Sequence, residues 1–135
     1  MEIPLRAALI AWLAADPALA GELNAIVEEA PSRTSLPWLA IAASASADWS
    51  CKTAAGREVR VALELYCRGD RAEAAAGLVA AIEARIESLP RAQAGFSVVT
   101  TKFLRARAEQ RGESRRAILL EYRFRLLAGA STSSA

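Results

Sequence analysis

Histidine is absent from this 135-residue chain. General acid–base chemistry near neutral pH would therefore have to fall to carboxylates, Lys, Cys or Tyr. No recognisable motif pairs the carboxylates. Glu28-Glu29 is the nearest approach, and a strand end meeting solvent explains it more simply. Cysteine is nearly absent as well. Cys51 and Cys67 form no CxxC or Cys/His spacing, which excludes a disulfide framework and the usual zinc sites. Two reduced thiols are the expectation, and Cys51, although next to Lys52, has no evident base to make it a nucleophile. Gly56 and Gly69 stand alone, outside any GxGxxG or GxxxxGK phosphate loop. No apolar run approaches the ~20 residues of a membrane span, Ala7 to Ala15 being apolar but far shorter, and no secretory leader is visible. A non-enzymatic protein without cofactor or metal, soluble and made in the cytoplasm, is expected.

Charge excludes less. Seventeen basic and 15 acidic residues leave a net charge of +2, too small to imply a nucleic-acid partner by itself. All the basic residues except Lys52 and Lys102 are Arg, the side chain best suited to bidentate pairing across interfaces, although a GC-rich coding sequence gives the same bias.

Apolar periodicity orders the chain. Pro4 suits a first helical turn, and Leu5, Leu9, Trp12 and Leu13 repeat at helical spacing, with Trp12 as a core or interface anchor. Asp16-Pro17 stops that helix and can begin a short second turn. Ala25 to Glu28 reads as a short strand, and Pro37 to Ala47 as a second whose small residues allow close approach. The run Arg57 to Cys67 alternates Val59, Val61, Leu63, Leu65 and Cys67 with mostly polar residues, the pattern of a half-buried strand. Asp70 with Glu73 forms a capping box for a helix of about 20 residues closing at Pro90, with Leu78, Val79, Ile82, Ile86 and Leu89 inward and Glu83, Arg85 and Glu87 in water. Gly95 to Arg107 and Arg115 to Leu127 read as a long C-terminal hairpin around a polar turn with Gly112.

The expected fold is thus α+β: an antiparallel or mixed β-sheet with a long helix packed on one face, an N-terminal helix and the C-terminal β-hairpin. One domain is expected over residues 1–128, followed by a disordered Ser-rich tail over 129–135. Seven of the 15 arginines (Arg105, Arg107, Arg111, Arg115, Arg116, Arg123 and Arg125) fall in the hairpin, interleaved with Glu109, Glu113 and Glu121. A solvated face, contact with a neighbouring protein and contact with DNA all fit this pattern.

The order of parts also resembles a known family. Asp48-Trp49-Ser50, Lys52-Thr53 and Gly56-Arg57-Glu58 lead into the strand, and Arg71-Ala72-Glu73-Ala74 opens the helix. Together with Leu5 to Leu9, Ala14 to Leu19, Ala30-Pro31 and Leu36-Pro37-Trp38, they resemble the small phage tail-completion proteins, the tail terminators, most closely the gene transfer agent branch. The resemblance implies a homo-oligomeric ring, commonly a hexamer, in the tail or neck of a virion. Such a ring caps the head-proximal end of the tail tube, stops its polymerisation and docks to the head connector or stopper. DNA transits the lumen without specific binding, and no membrane, catalytic residue or cofactor is involved. Within such a ring the expected contacts are Asp48, Trp49, Lys52 and Arg57 in the loop and Arg107, Arg111, Arg115 and Arg116 at the hairpin tip. The alternatives are another neck component, stopper or adaptor, and a small basic nucleic-acid-binding domain.

Overall fold

The computed structural model describes residues 1–31, 33–69, 73–112 and 114–129. Helices α1 (Glu2–Ala14) and α2 (Pro17–Glu22) precede strands β1 (Ala25–Val27), β2 (Trp38–Asp48) and β3 (Gly56–Arg68). Helix α3 (Glu73–Glu87) follows, then β4 (Ala92–Gln93), β5 (Phe96–Gln110) and β6 (Arg115–Ala128). The six strands form one sheet in the order β1-β2-β3-β6-β5-β4. Only β1–β2 is parallel; every other neighbouring pair is antiparallel, so the sheet is mixed.

Alternation decides which face is covered. Val59, Val61, Leu63 and Leu65 of β3 are fully buried and lie in register with Phe124, Tyr122, Leu120 and Ile118 of β6. Leu5, Leu9 and Leu13 of α1, Ile82 and Ile86 of α3, and Leu89 just beyond it close over them in one cluster. Asp16 caps α2 by accepting a hydrogen bond from the Ala18 N–H, with Pro17 at the first helical position. Among the described residues the core has no buried polar or charged residue.

Three expectations change. Helix α3 covers 15 residues, Glu73–Glu87, against the ~20 expected: its C-terminal end comes early because the chain tightens at Ser88 and Leu89 (N–H to Arg85 and Ile86 carbonyls) before Pro90, and residues 70–72, where its start was expected, lie outside the described residues. Arg85 does not face water. Its guanidinium lies 3.4 Å from the Trp12 ring centre and donates to the Trp12 carbonyl, while the Trp12 indole donates to the Arg85 carbonyl. Leu78 and Val79 are only partly buried. The capping box through Asp70 and the tail beyond Gly129 lie outside the described residues.

Candidate assembly interface

The loop after β2 is built from its backbone outwards. The Trp49 N–H donates to the Gly56 carbonyl (2.9 Å), and the Cys51 N–H donates to the Ala54 carbonyl (2.9 Å), closing a tight turn. Ser50 bridges the base of the loop: its hydroxyl donates to Asp48 Oδ1 (2.7 Å) and accepts from the Gly56 N–H (3.0 Å). The Ala128 N–H donates to the Ala55 carbonyl (2.9 Å), tying the loop to the end of β6. Gly56 is required here because a Cβ would lie 2.4 Å from the Trp49 carbonyl oxygen and 2.9 Å from that of Leu126.

On this scaffold Trp49 is half-buried, with the Arg125 guanidinium 5.5 Å from its ring centre. Asp48, Lys52 and Arg57 are exposed, and Arg57 donates to the Ser46 hydroxyl (3.0 Å). Hydrogen bonding to Thr53, not the neighbouring Lys52, holds the exposed Cys51 thiol below its usual range.

The other end of the sheet carries the β5–β6 turn. The Arg111 N–H donates to the Arg115 carbonyl (2.8 Å), and Gly112 and Ser114 take left-handed φ values of 72° and 56°. Arg111 reaches back over the sheet, donating to the Tyr66 hydroxyl (2.6 Å) and pairing with Glu64 (3.3 Å). Tyr66 stacks on Trp38 with ring centres 4.2 Å apart. Burial, then the Glu64 carboxylate, pushes the Tyr66 hydroxyl above its ordinary range, so it remains a proton donor. Arg115 shares a recess of about 420 Å³ with Leu36, Trp38, Tyr66 and Arg111. Arg116 donates to the Gly69 carbonyl (3.2 Å), and Arg107 pairs with Glu109 (3.5 Å).

The eight expected contact residues therefore do not converge. Gly56 pairs with Leu127 at one end of β3 and Arg68 with Arg115 at the other. Thirteen residues of extended chain separate the two groups by about 40 Å. Trp38, Tyr66 and Glu64 belong to the tip end and were missed. Their meeting depends on the β2–β3 register, for which the sequence carries no local signal.

Between the ends, the sheet face away from the helices is a lattice of ion pairs. Glu58 receives Arg125 (3.0 Å) and lies 3.9 Å from Arg123, and Glu121 receives Arg105 (2.8 Å). Five of the seven hairpin arginines thus have a carboxylate of the chain within 4 Å, which lowers the charge available to a phosphate backbone.

This architecture is that of a small α+β protein with aromatic–arginine clusters at both ends of its sheet and no assembled catalytic constellation among the described residues. Residues 7–127 match the family of the tail completion protein gp17, and the chain belongs to that family. It is accordingly a structural protein of the phage-type virion tail and neck. A solved structure described as the virion of a native gene transfer agent particle contains a similar chain. The two superpose with a TM-score of 0.78 at 24% identity, over 93% of this chain and 96% of that one, which establishes the shared fold. No curated protein matches the chain.

Proposed function

We propose that this protein is a tail terminator: copies close into a ring, six being the number the family resemblance suggests, on the head-proximal end of a tail tube. The ring stops tube growth and offers its far side to the head connector, and DNA passes through the lumen. Membership of the tail completion family across residues 7–127 carries this reading. The likeness to a chain of a gene transfer agent virion supports a particle of that kind.

The separation of the two candidate patches suggests how the ring is addressed. With the ring axis roughly along the strands, the loop with Asp48, Trp49, Lys52 and Arg57 lies on one side of the ring. The tip with Arg107, Arg111, Arg115 and Arg116 lies on the other. A ring between tube and connector needs two such surfaces, and aromatic and Arg side chains are the usual anchors of such contacts.

The test is the mass of the purified chain alone and with tail-tube protein, with negative-stain imaging of tube ends. Rings at one end of each tube, with tube growth arrested, are expected. Tubes that keep growing with bare ends would refute termination. A ring that binds connector protein but ignores tubes would instead place the chain elsewhere in the neck.

A further inference from the structure

The two lateral flanks of the sheet are open at the same level and complementary. Among the described residues, strand β1 pairs with β2 only at Trp38–Ala40, leaving the outer edge of Ala43–Ala47 without a strand partner. At the opposite edge β4 pairs with β5 only at Phe96 and Ser97, leaving Thr100–Arg105 without one. Following the register across the sheet, Ala47, Glu58, Arg125 and Thr100 align, as do Ala43, Ala62, Glu121 and Arg105. The open stretches therefore stand opposite each other.

Each flank also exposes one large apolar side chain, and these are the only two exposed large hydrophobics among the described residues: Ile3 (78% exposed) and Phe103 (40%). Phe103 aligns with Tyr122, Val61 and Ser44. The Ser44 hydroxyl donates to Glu2, which brings the first turn of α1 to that level. Ile3, Arg6 and Ile10 share one stripe of α1, at i, i+3 and i+7. Arg6 of that stripe donates to Ser44 and pairs with Glu28 just beyond β1, whereas Trp12 engages α3 on the other side of the helix. Ile3 is thus turned toward the β2 flank, and Phe103, in register with the buried Tyr122, lies on the same face of the sheet at the β5 flank.

Charge follows the same division. The β5 flank carries exposed Lys102, Arg105 and Arg107, with Arg105 paired to Glu121 and Arg107 to Glu109; the α1–β2 flank carries Glu2, Glu28, Glu29 and Asp48 against Arg6 and Arg57, so the first is left basic and the second acidic.

We infer that the β5 flank of one copy seats on the α1–β2 flank of the next, with Phe103 packed against Ile3 of its neighbour. This deepens the ring reading and rests on it. Rotation about an axis along the strands preserves strand direction, so β5 runs antiparallel to the neighbour's β2, the more favourable pairing. Two β5 flanks facing each other would oppose Lys102, Arg105 and Arg107 to themselves, which selects a head-to-tail contact that closes a ring over a two-fold dimer.

Cysteine pairing tests it. In a Cys51→Ser background, Ile3→Cys and Phe103→Cys chains are mixed, assembled on tail tubes and oxidised. Crosslinked dimers are expected from the mixture and not from either variant alone. A chain carrying both changes should give a ladder of oligomers ending at a closed circle. Ile3→Asp, on the surface, should keep the unfolding temperature of the parent and reduce tube capping at least tenfold; Phe103→Asp, which also gives up an edge-on ring contact with Tyr122, should reduce capping as far with some loss of unfolding temperature. Dimers from Phe103→Cys alone, or capped tubes without crosslinks, would overturn this contact and leave termination standing. Failure of the unsubstituted chain to cap tubes at all would remove both.

Discussion

The two ends of the sheet solve the same problem differently. Each presents an aromatic ring with an arginine beside it, Trp49 with Arg125 and Tyr66 with Arg111, the two guanidiniums 5.5 Å from their ring centres. At the loop end the backbone is fixed first, by the Trp49, Cys51 and Ala128 N–H bonds and the Ser50 bridge, and the tryptophan rides half-buried on a finished frame. At the tip end the side chains hold the structure together: Trp38 is only 9% exposed and stacks on Tyr66, which in turn receives Arg111. A ring carried on a rigid backbone frame is free to serve a partner, whereas a ring within the packing is committed to its own chain.

Truncation separates these roles most sharply at Trp38. Trp38→Ala removes a buried ring and leaves Tyr66 without its stacking partner, and should cost about 3 kcal/mol of stability. In denaturant unfolding it is expected to lose more than either loop variant, Gly56→Ala or Trp49→Ala. If the loss were under about 1 kcal/mol, the tip cluster would be a surface ornament and the contrast between the ends would collapse.

Gly56→Ala attacks the loop end through its frame. The added Cβ meets two carbonyl oxygens at 2.4 and 2.9 Å, and backbone cannot swing aside as a side chain does. The expected cost is about 2 kcal/mol, with the loop displaced. Amide exchange should rise at Trp49, Gly56 and Ala128, whose N–H bonds define the frame.

Trp49→Ala should then do what Trp38→Ala cannot. The ring's local partner is the Arg125 guanidinium, and its loss is worth about 1 kcal/mol at most at a site open to water. Unfolding is expected to be nearly unchanged while tube capping weakens severalfold. Unchanged capping in this variant would remove the loop from the interface.

The sequence made much of this architecture legible, and what it hid has a common cause. Strict alternation from Val59 to Cys67 and from Ile118 to Leu126 marked both central strands, and Asp16-Pro17 marked the junction of α1 and α2. These signals are local, set by side-chain period and capping. The insertion of β6 between β3 and β5 rests on pairing across the whole of α3, which leaves no trace at short range. Arg85 was expected in water because helical spacing says where the core lies, and nothing about a second helix offering a tryptophan face. Of the candidate site, the residue types were visible and their arrangement was not. Arg111 stood out in its basic cluster, but Tyr66 and Trp38 lay in separate strands that only the sheet brings together.

The smallest expected effect concerns the contact between the first turn of α1 and β2. Glu2 accepts from the Ser44 hydroxyl, and that bond, followed by one from Ser46, holds its carboxyl below the usual carboxylate range. A carboxyl with a depressed pKa in the folded chain stabilises the fold above its unfolded value, near 4.5. That contribution is lost as pH falls through the lower folded value. Because Glu2 is only partly buried and solvent screens its bonds, the effect should be slight in global stability and clearest locally, as loosening of the first turn of α1 over β2. Glu2→Gln should therefore unfold with a shallower dependence on pH below 4.5 than the parent, and match it in shape above. Since Ile3 sits on that same turn, ring assembly should weaken in acid in the parent chain and do so less in Glu2→Gln. An acid sensitivity identical in both would mean that the turn carrying Ile3 is held by Leu5 and Arg6 alone.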